Sequence, residues 1–174
     1  ISPKTLNICF EDIKKKCNKK TLAIMPVHYS GDPSGINKIN SFAKKNQIRV
    51  IEDAAHAFGS TFNNKLIGSF GDIACFSFDG IKNITCGEGG AIVSNDEQVL
   101  SKASDIRTLG IIGDSARRTE KKRSWSFDIE EQGYRYHMSD INAAIGVVQL
   151  KRFSQFQKKR MLLAKNYDEI FQNS

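Results

Sequence analysis

Residues 71–90 read GDIACFSFDGIKNITCGEGG, and the fold turns on how they divide. Ile73 to Phe78 is a short apolar run with Ser77 near its end, which suits a buried parallel strand better than a helix. Lys82 follows just past that strand. Gly87, Gly89 and Gly90 then supply backbone freedom where the chain must turn tightly beneath something that approaches it closely. A lysine held in such a loop is a candidate nucleophile.

Working outward, a second largely apolar run, Ile48 to Glu52, ends in Asp53-Ala54-Ala55-His56, so a carboxylate and an imidazole also leave a strand at its C-terminal end. In open α/β sheets ligands bind outside those ends, so lysine, aspartate, serine and histidine are expected to converge on one crevice. Each has an ordinary explanation when taken singly. Loop lysines are mostly exposed and inert, Asp53 suits a turn cap, His56 a satisfied core histidine, and Ser77 a buried strand serine. Taken together, the lysine, the acid and the glycine turn are all demanded by one chemistry.

The 174 residues, 40% of them hydrophobic, suffice for one domain with a sizeable core. No run approaches the ~18 apolar residues that a membrane span needs. Cys9, Cys17, Cys75 and Cys86 have neither CxxC nor zinc-ligand spacing, which fits reduced thiols in the cytoplasm and no metal site. The net charge of +7 is scattered over clusters such as Lys14 to Lys16 and Lys121 to Arg123. Solvated helix faces account for most of it, and attraction of an anionic substrate such as a nucleoside diphosphate is the functional alternative. No cluster is interleaved with stacking aromatics, which argues against a nucleic-acid partner.

Read in order, the spacing predicts a surface helix over Phe10 to Lys20 and a strand over Leu22 to Val27 that ends in the turn-rich HYSGDP segment. A helix capped by Ser34 and ending at Asn46 or Gln47 follows, with Ile36, Ile39, Phe42 and Ala43 on its apolar face. Gly59 to Gly68 is a polar excursion without clear period. Ala91 to Val93 makes another short strand, and Asp96 opens a helix with Val99, Leu100, Ala103 and Ile106 facing inward. Gly110 to Phe127 reads as a mobile loop. Ser139 caps a long helix whose Ile141, Ala144, Ile145, Val148, Phe153 and Phe156 keep one face apolar. The expectation is an α/β chain with a mostly parallel sheet flanked by helices. Residues 1–157 form part of a large domain, and residues 158–174 form a connector helix towards a further domain.

EDAAHAFGS at Glu52 to Ser60, FSFDGIKNITCGEGG at Phe76 to Gly90, and GYRYHMSDINAAIGVVQL at Gly133 to Leu150 together resemble the DegT-type nucleotide-sugar aminotransferases. These are fold-type-I enzymes that depend on pyridoxal 5'-phosphate. The likeness runs from about Ile24 to Phe153, three motifs in order.

The resemblance implies a role for each residue. Lys82 looks like the lysine that holds the cofactor as a Schiff base and moves protons at the substrate carbon. Asp53 looks like the partner of the pyridine nitrogen, His56 sits where the family places Gln or His near the phenolic oxygen, and Ala55 matches the residue packed on one ring face. Ser77 resembles the serine that bonds the cofactor phosphate. The family commonly has Asn where this chain has Arg135, lent to the neighbouring subunit's phosphate, and Arg where it has His137; a frequent His is Leu109 here.

The implied reaction is transamination of a nucleotide-linked keto-sugar, with glutamate as donor, for amino-sugar or polysaccharide synthesis by a cytoplasmic homodimer with a shared active site. Lys82 separates this chain from the family's dehydratase branch, which has His there. Family members also carry an upstream phosphate-cradling helix and a C-terminal small domain. This chain therefore reads as the middle of a longer enzyme, expected to be inactive alone. A degenerate fragment that does not retain cofactor is the competing reading.

Overall fold

A computed structural model describes residues 1–33, 35–112, 129 and 131–172. The elements run α1 (Phe10–Lys16), β1 (Ala23–Ile24), a 3-10 turn (Tyr29–Gly31), α2 (Ile36–Lys45), β2 (Arg49–Asp53), β3 (Thr61–Phe62) and β4 (Lys65–Leu66). They continue with β5 (Ile73–Ser77), β6 (Gly90–Ser94), α3 (Glu97–Arg107) and a long helix, α4 (Asp140–Gln172). The main sheet has the order β1-β2-β5-β6. β1 with β2 and β2 with β5 are parallel, and β5 with β6 is antiparallel. The sheet is mostly parallel, as the sequence predicts, and the glycine turn after Lys82 is what reverses the chain into β6.

The first layer is built from apolar spacing. Ile36, Ile39 and Ala43 recur on one face of α2 and are almost fully buried against Ile24, Ile48 and Val50. Each such isoleucine contributes about 1.5–3 kcal/mol of transfer free energy. α2 opens at Gly35, with φ of 87°, and closes where Gln47 takes a left-handed φ of 56°. The expected Ser34 cap lies outside the described residues. A second cluster, Ala54, Ala57 and Ile67 with Phe62, Phe70 and Phe76, lies beneath the C-terminal ends of β2 and β5.

Several boundaries differ from the sequence reading. The strand expected over Leu22 to Val27 is regular only at Ala23–Ile24, because Pro26 has no N–H to give the ladder. Pairing resumes beyond it: Asp53 N–H donates to Pro26 O at 2.9 Å and His28 N–H to Asp53 O at 3.0 Å. α1 stops at Lys16 rather than Lys20, since Asn18 Oδ1 accepts the Lys20 N–H at 2.9 Å and folds the chain into a turn. The excursion after Gly59 contains a hairpin, β3 with β4, turned by Asn63 and Asn64 at φ of 50° and 62°.

The helix predicted from Asp96 begins there, with Asp96 Oδ1 accepting the Gln98 and Val99 N–H groups. Its apolar face is only half covered: no residue of α3 is fully buried, and Leu100 is exposed. α4 starts as expected, with Ser139 Oγ accepting the Asn142 N–H at 3.2 Å. Its 33 residues include none that is fully buried. Ile141, Ile145 and Val148 are exposed, while Phe153 and Phe156 are partly covered. Most of the loop expected over Gly110 to Phe127 lies outside the described residues.

Candidate active site

The site grows from the C-terminal ends of two neighbouring parallel strands. Asp53 closes β2 directly opposite Cys75 of β5 in the register. In a strand alternate side chains share a face, so Ser77, two residues on, stands on the same side as Cys75. Asp53 Oδ1 accepts the Ala55 N–H at 3.1 Å, an Asx turn that bends the chain off the strand. The Ala54 N–H donates to Cys75 O at 2.9 Å and the Ala57 N–H to Ala54 O at 2.9 Å. Ala54 and Ala57 are fully buried, and Asp53 and Ala55 are half-buried above them. Burial, then the Asp53 charge beside it, pushes the Cys75 thiol up from 9.0 and keeps it un-ionised at neutral pH.

His56 follows on this turn and is exposed rather than buried, so it is not a satisfied core histidine. Its ring meets Tyr29 edge to face, with centroids 6.0 Å apart. Ser77 Oγ accepts the Asp79 N–H at 3.4 Å, which leaves its own proton uncommitted.

Lys82 lies in the loop between β5 and β6. The Lys82 N–H closes a turn on Asp79 O at 3.1 Å, and the half-buried side chain has no hydrogen bond or ion pair among the described residues. The loop's base is laced to β5, with the Cys86 N–H on Phe78 O and the Phe78 N–H on Gly89 O, both at 2.8 Å. Ile84 and Cys86 anchor it in the interior. Beyond them the glycine turn has the close approach that its composition predicts. Gly89 has φ of 140° under the Met138 side chain, and a Cβ on Gly90 would stand 2.6 Å from Phe76 O.

One side-chain hydrogen bond joins the two loops. Asn83 Nδ2 donates to Phe58 O at 2.6 Å, tying the loop of Lys82 to the loop that leaves Asp53. The Phe58 ring is fixed edge to face by Phe76, Phe78 and Phe153, with centroids 5.1–5.8 Å away. Gln157 of α4 donates to Gly59 O at 3.0 Å beside it. Arg135 stands apart from this group. It is exposed and bridges Thr108 at the end of α3, and no hydrogen bond or ion pair among the described residues joins it to Asp53, His56, Ser77 or Lys82.

A residue pair that sequence reasoning passed over lies directly behind Asp53. Glu52 and His28 are almost wholly buried, with Oε2 and Nε2 2.8 Å apart. Glu52 Oε1 also accepts the Phe70 N–H at 3.0 Å and the Gly71 N–H at 2.6 Å. Burial raises the Glu52 pKa, and the His28 hydrogen bond with the Gly71 and Phe70 N–H groups outweighs it, leaving the carboxyl below its ordinary 4.5. The signal was in the sequence: two consecutive acids at a strand end face opposite sides, so one of them must find a buried partner.

Among the described residues the Lys82 amine and one Asp53 carboxylate oxygen have no hydrogen-bond partner, and with the Ser77 hydroxyl and the His56 imidazole, on the ends of neighbouring strands and the loops that leave them, these groups fit a phosphorylated pyridine aldehyde. The carboxylate suits a protonated ring nitrogen, the hydroxyl a phosphate oxygen, and the amine an aldehyde carbon.

The family model described as the DegT/DnrJ/EryC1/StrS aminotransferase family matches residues 1–174. The chain is 36% identical to the spore coat polysaccharide biosynthesis protein SpsC of Bacillus subtilis over 99% of its own length and 44% of that protein's. Among solved structures, Helicobacter pylori PseC, an aminotransferase involved in the biosynthesis of pseudoaminic acid, superposes with a TM-score of 0.87 at 32% identity, over 97% of this chain and 43% of that one. The PLP form of the putative sugar aminotransferase Spr1654 from Streptococcus pneumoniae gives 0.87 at 27% identity, over 100% and 47%. The chain thus spans under half the length of these relatives.

Proposed function

Since the chain belongs to the DegT/DnrJ/EryC1/StrS aminotransferase family, we propose that it forms the cofactor-holding part of a pyridoxal-phosphate-dependent enzyme that aminates a nucleotide-linked keto-sugar, with glutamate as donor. The observation that carries this reading is the Asn83 to Phe58 hydrogen bond, which joins the loop of an unpartnered lysine to the loop leaving Asp53. Residues 1–157 belong to the large domain in this proposal, and residues 158–174 are the connector towards a second one. The uncovered face of α4 supports that division. The enzyme acts in the cytoplasm as a homodimer. Among the described residues no helix is long and apolar enough to cross a membrane.

When bound, pyridoxal phosphate supplies an electron sink for the carbon that loses its proton. The chain's own residues do the rest. Lys82 Nζ is the group that would hold the cofactor carbon and that could move a proton at the substrate carbon. The unengaged Asp53 oxygen accepts from the ring nitrogen and keeps it protonated. Ser77 would donate to a phosphate oxygen, His56 would serve the phenolic oxygen, and the small Ala55 would leave room for the ring. Arg135 reaches the partner subunit's phosphate, where its fixed charge takes over the part of the family's asparagine. The net charge of +7 draws in an anionic substrate.

The test is made on the protein at the full length of its reading frame. An absorbance band bleached by borohydride and absent in Lys82→Ala, together with amination of a nucleotide keto-sugar by glutamate, is the expected result. A protein that never develops the band is the non-catalytic alternative, and the proposal is then wrong.

A further inference from the structure

Lys82 is held unequally on its two sides. Before it, Gly80 and Ile81 are exposed, Ile81 to 89%, and the Ile81 and Lys82 N–H groups bond only within the loop, to Asp79 Oδ1 at 3.0 Å and Asp79 O at 3.1 Å. After it comes Asn83, whose side chain reaches the Phe58 carbonyl, and then the buried Ile84. Among the described residues, Asn83 is therefore the point nearest the amine at which a side chain ties this loop to another part of the chain. The group it holds is itself immobile, since Phe58 is packed by three aromatic rings and its neighbour Gly59 is bonded by Gln157.

The other end of the same amide is informative. Asn83 Oδ1 is buried without a hydrogen-bond partner. One bond is gained through Nδ2 and one acceptor is left dry through Oδ1, so the side chain adds little to the stability of the fold. What it does secure is the direction in which the loop presents the next residue back, Lys82.

We infer that Asn83 is a positioning residue that aims Lys82 into the crevice by clamping its loop to the Phe58 carbonyl. The inference rests on the proposed role of Lys82 and goes beyond it. It assigns the placing of the amine to a side chain that touches neither substrate nor cofactor. Removing the clamp leaves the amine on a loop held by its base, its own Asp79 turn and the buried Ile84, with no side-chain tie to the loop that leaves Asp53, and misplacement of a reacting group by about 1 Å costs on the order of a hundredfold in rate.

The experiment uses the full-length protein stripped of cofactor, as wild type, Asn83→Ala and Asn83→Asp, with pyridoxal 5'-phosphate as the probe. The amine nitrogen adds to the aldehyde carbon, water leaves, and borohydride reduces the resulting C=N bond to a secondary amine located by peptide mass spectrometry. Attachment at Lys82 is expected to slow by roughly ten- to a hundredfold in both variants. Melting temperatures of the cofactor-free proteins are expected to stay within about 3 °C of wild type. Asn83→Asp keeps the volume while setting an oxygen against the Phe58 carbonyl, so it carries the test if the alanine variant does not fold. Attachment as fast as wild type in either folded variant overturns the inference, as does a loss of more than about 10 °C, which would mark Asn83 as structural. Wild-type protein that is never trapped at Lys82 overturns the role of the lysine itself, and this inference with it.

Discussion

His28 Nε2 and Glu52 Oε2 lie 2.8 Å apart with both side chains nearly inaccessible, one residue behind the carboxylate assigned to the cofactor ring. The pair locks the end of β2 from the face opposite Asp53, and Glu52 simultaneously takes up the Gly68, Phe70 and Gly71 N–H groups of the turn that leads into β5. One side chain thus fixes the relative height of the two strands that carry the site.

Glu52→Ala strands His28 and the Phe70 and Gly71 N–H groups in the interior. The expected loss is about 3–5 kcal/mol, a large part of a domain's stability. Chemical denaturation of the two proteins measures it, and a loss below about 1 kcal/mol would show that the pair is incidental.

Acid should weaken the fold through the same group. The Glu52 carboxyl is depressed below 4.5 when folded, so its contribution is fully present above that unfolded value and is lost as pH falls through the lower folded one. Glu52→Gln should flatten this limb of a stability-against-pH curve. Asp96, lowered by the Arg49 guanidinium and the Val99 N–H, acts in the same direction. It is solvent-screened, so Asp96→Asn should change the limb little. Equal flattening by both variants contradicts the assignment.

Gly90 and Gly87 separate contact from backbone conformation. A Cβ at Gly90 meets the Phe76 carbonyl at 2.6 Å, whereas nothing lies within 4 Å of one at Gly87, which has φ of 81°. Gly90→Ala is expected to cost about 1–3 kcal/mol by overpacking. Gly87→Ala should cost about 1–2 kcal/mol through left-handed strain alone. Since Asn meets a smaller penalty in that region, Gly87→Asn should recover part of the loss and Gly90→Asn none. Recovery at Gly90 would refute the distinction.

In the full-length protein, Asp53→Ala should leave attachment of the cofactor at Lys82 intact while amino transfer falls by about two to three orders of magnitude. Borohydride trapping and single-turnover kinetics separate the two effects. Turnover at the wild-type rate would remove Asp53 from the chemistry.

Among the described residues no hydrogen bond or ion pair joins Arg135 to the Lys82 loop, and its proposed service to a partner subunit's site can be tested directly. Mixing Arg135→Ala with Lys82→Ala full-length protein should restore part of the activity, because one site of each mixed dimer keeps both residues. Mixed dimers as inactive as their parents would count against the shared site.

What the sequence made legible follows from which forces are local. The run before Ser77, the Asx signal at Asp53 and the Ser139 cap each act over a few residues, and each appears where the pattern places it. Pro26 and the Asn63-Asn64 pair were equally local and were passed over; one splits β1 and the other turns a hairpin. Partners distant in the chain were not legible. Nothing near Glu52 in sequence points to His28, and nothing near Lys82 announces that Asn83 will find Phe58. Apolar spacing in α4 marked the face that wants cover but not what covers it, and among the described residues Ile141 and Val148 remain exposed.

The bracing of Phe58 and Gly59 by Phe153 and Gln157 also sets an order of assembly. The bond from Gln157 to Gly59 spans 98 residues, so the loop beyond Asp53 leaves the ribosome well ahead of the helix that steadies it. At roughly 5–20 residues per second, that interval lasts about 5–20 s. During it the Phe58 ring lacks its Phe153 neighbour and remains open to other nascent chains and to chaperones. The bracing of the Phe58 loop is therefore completed only once α4 has been made, however early the loop's own residues are.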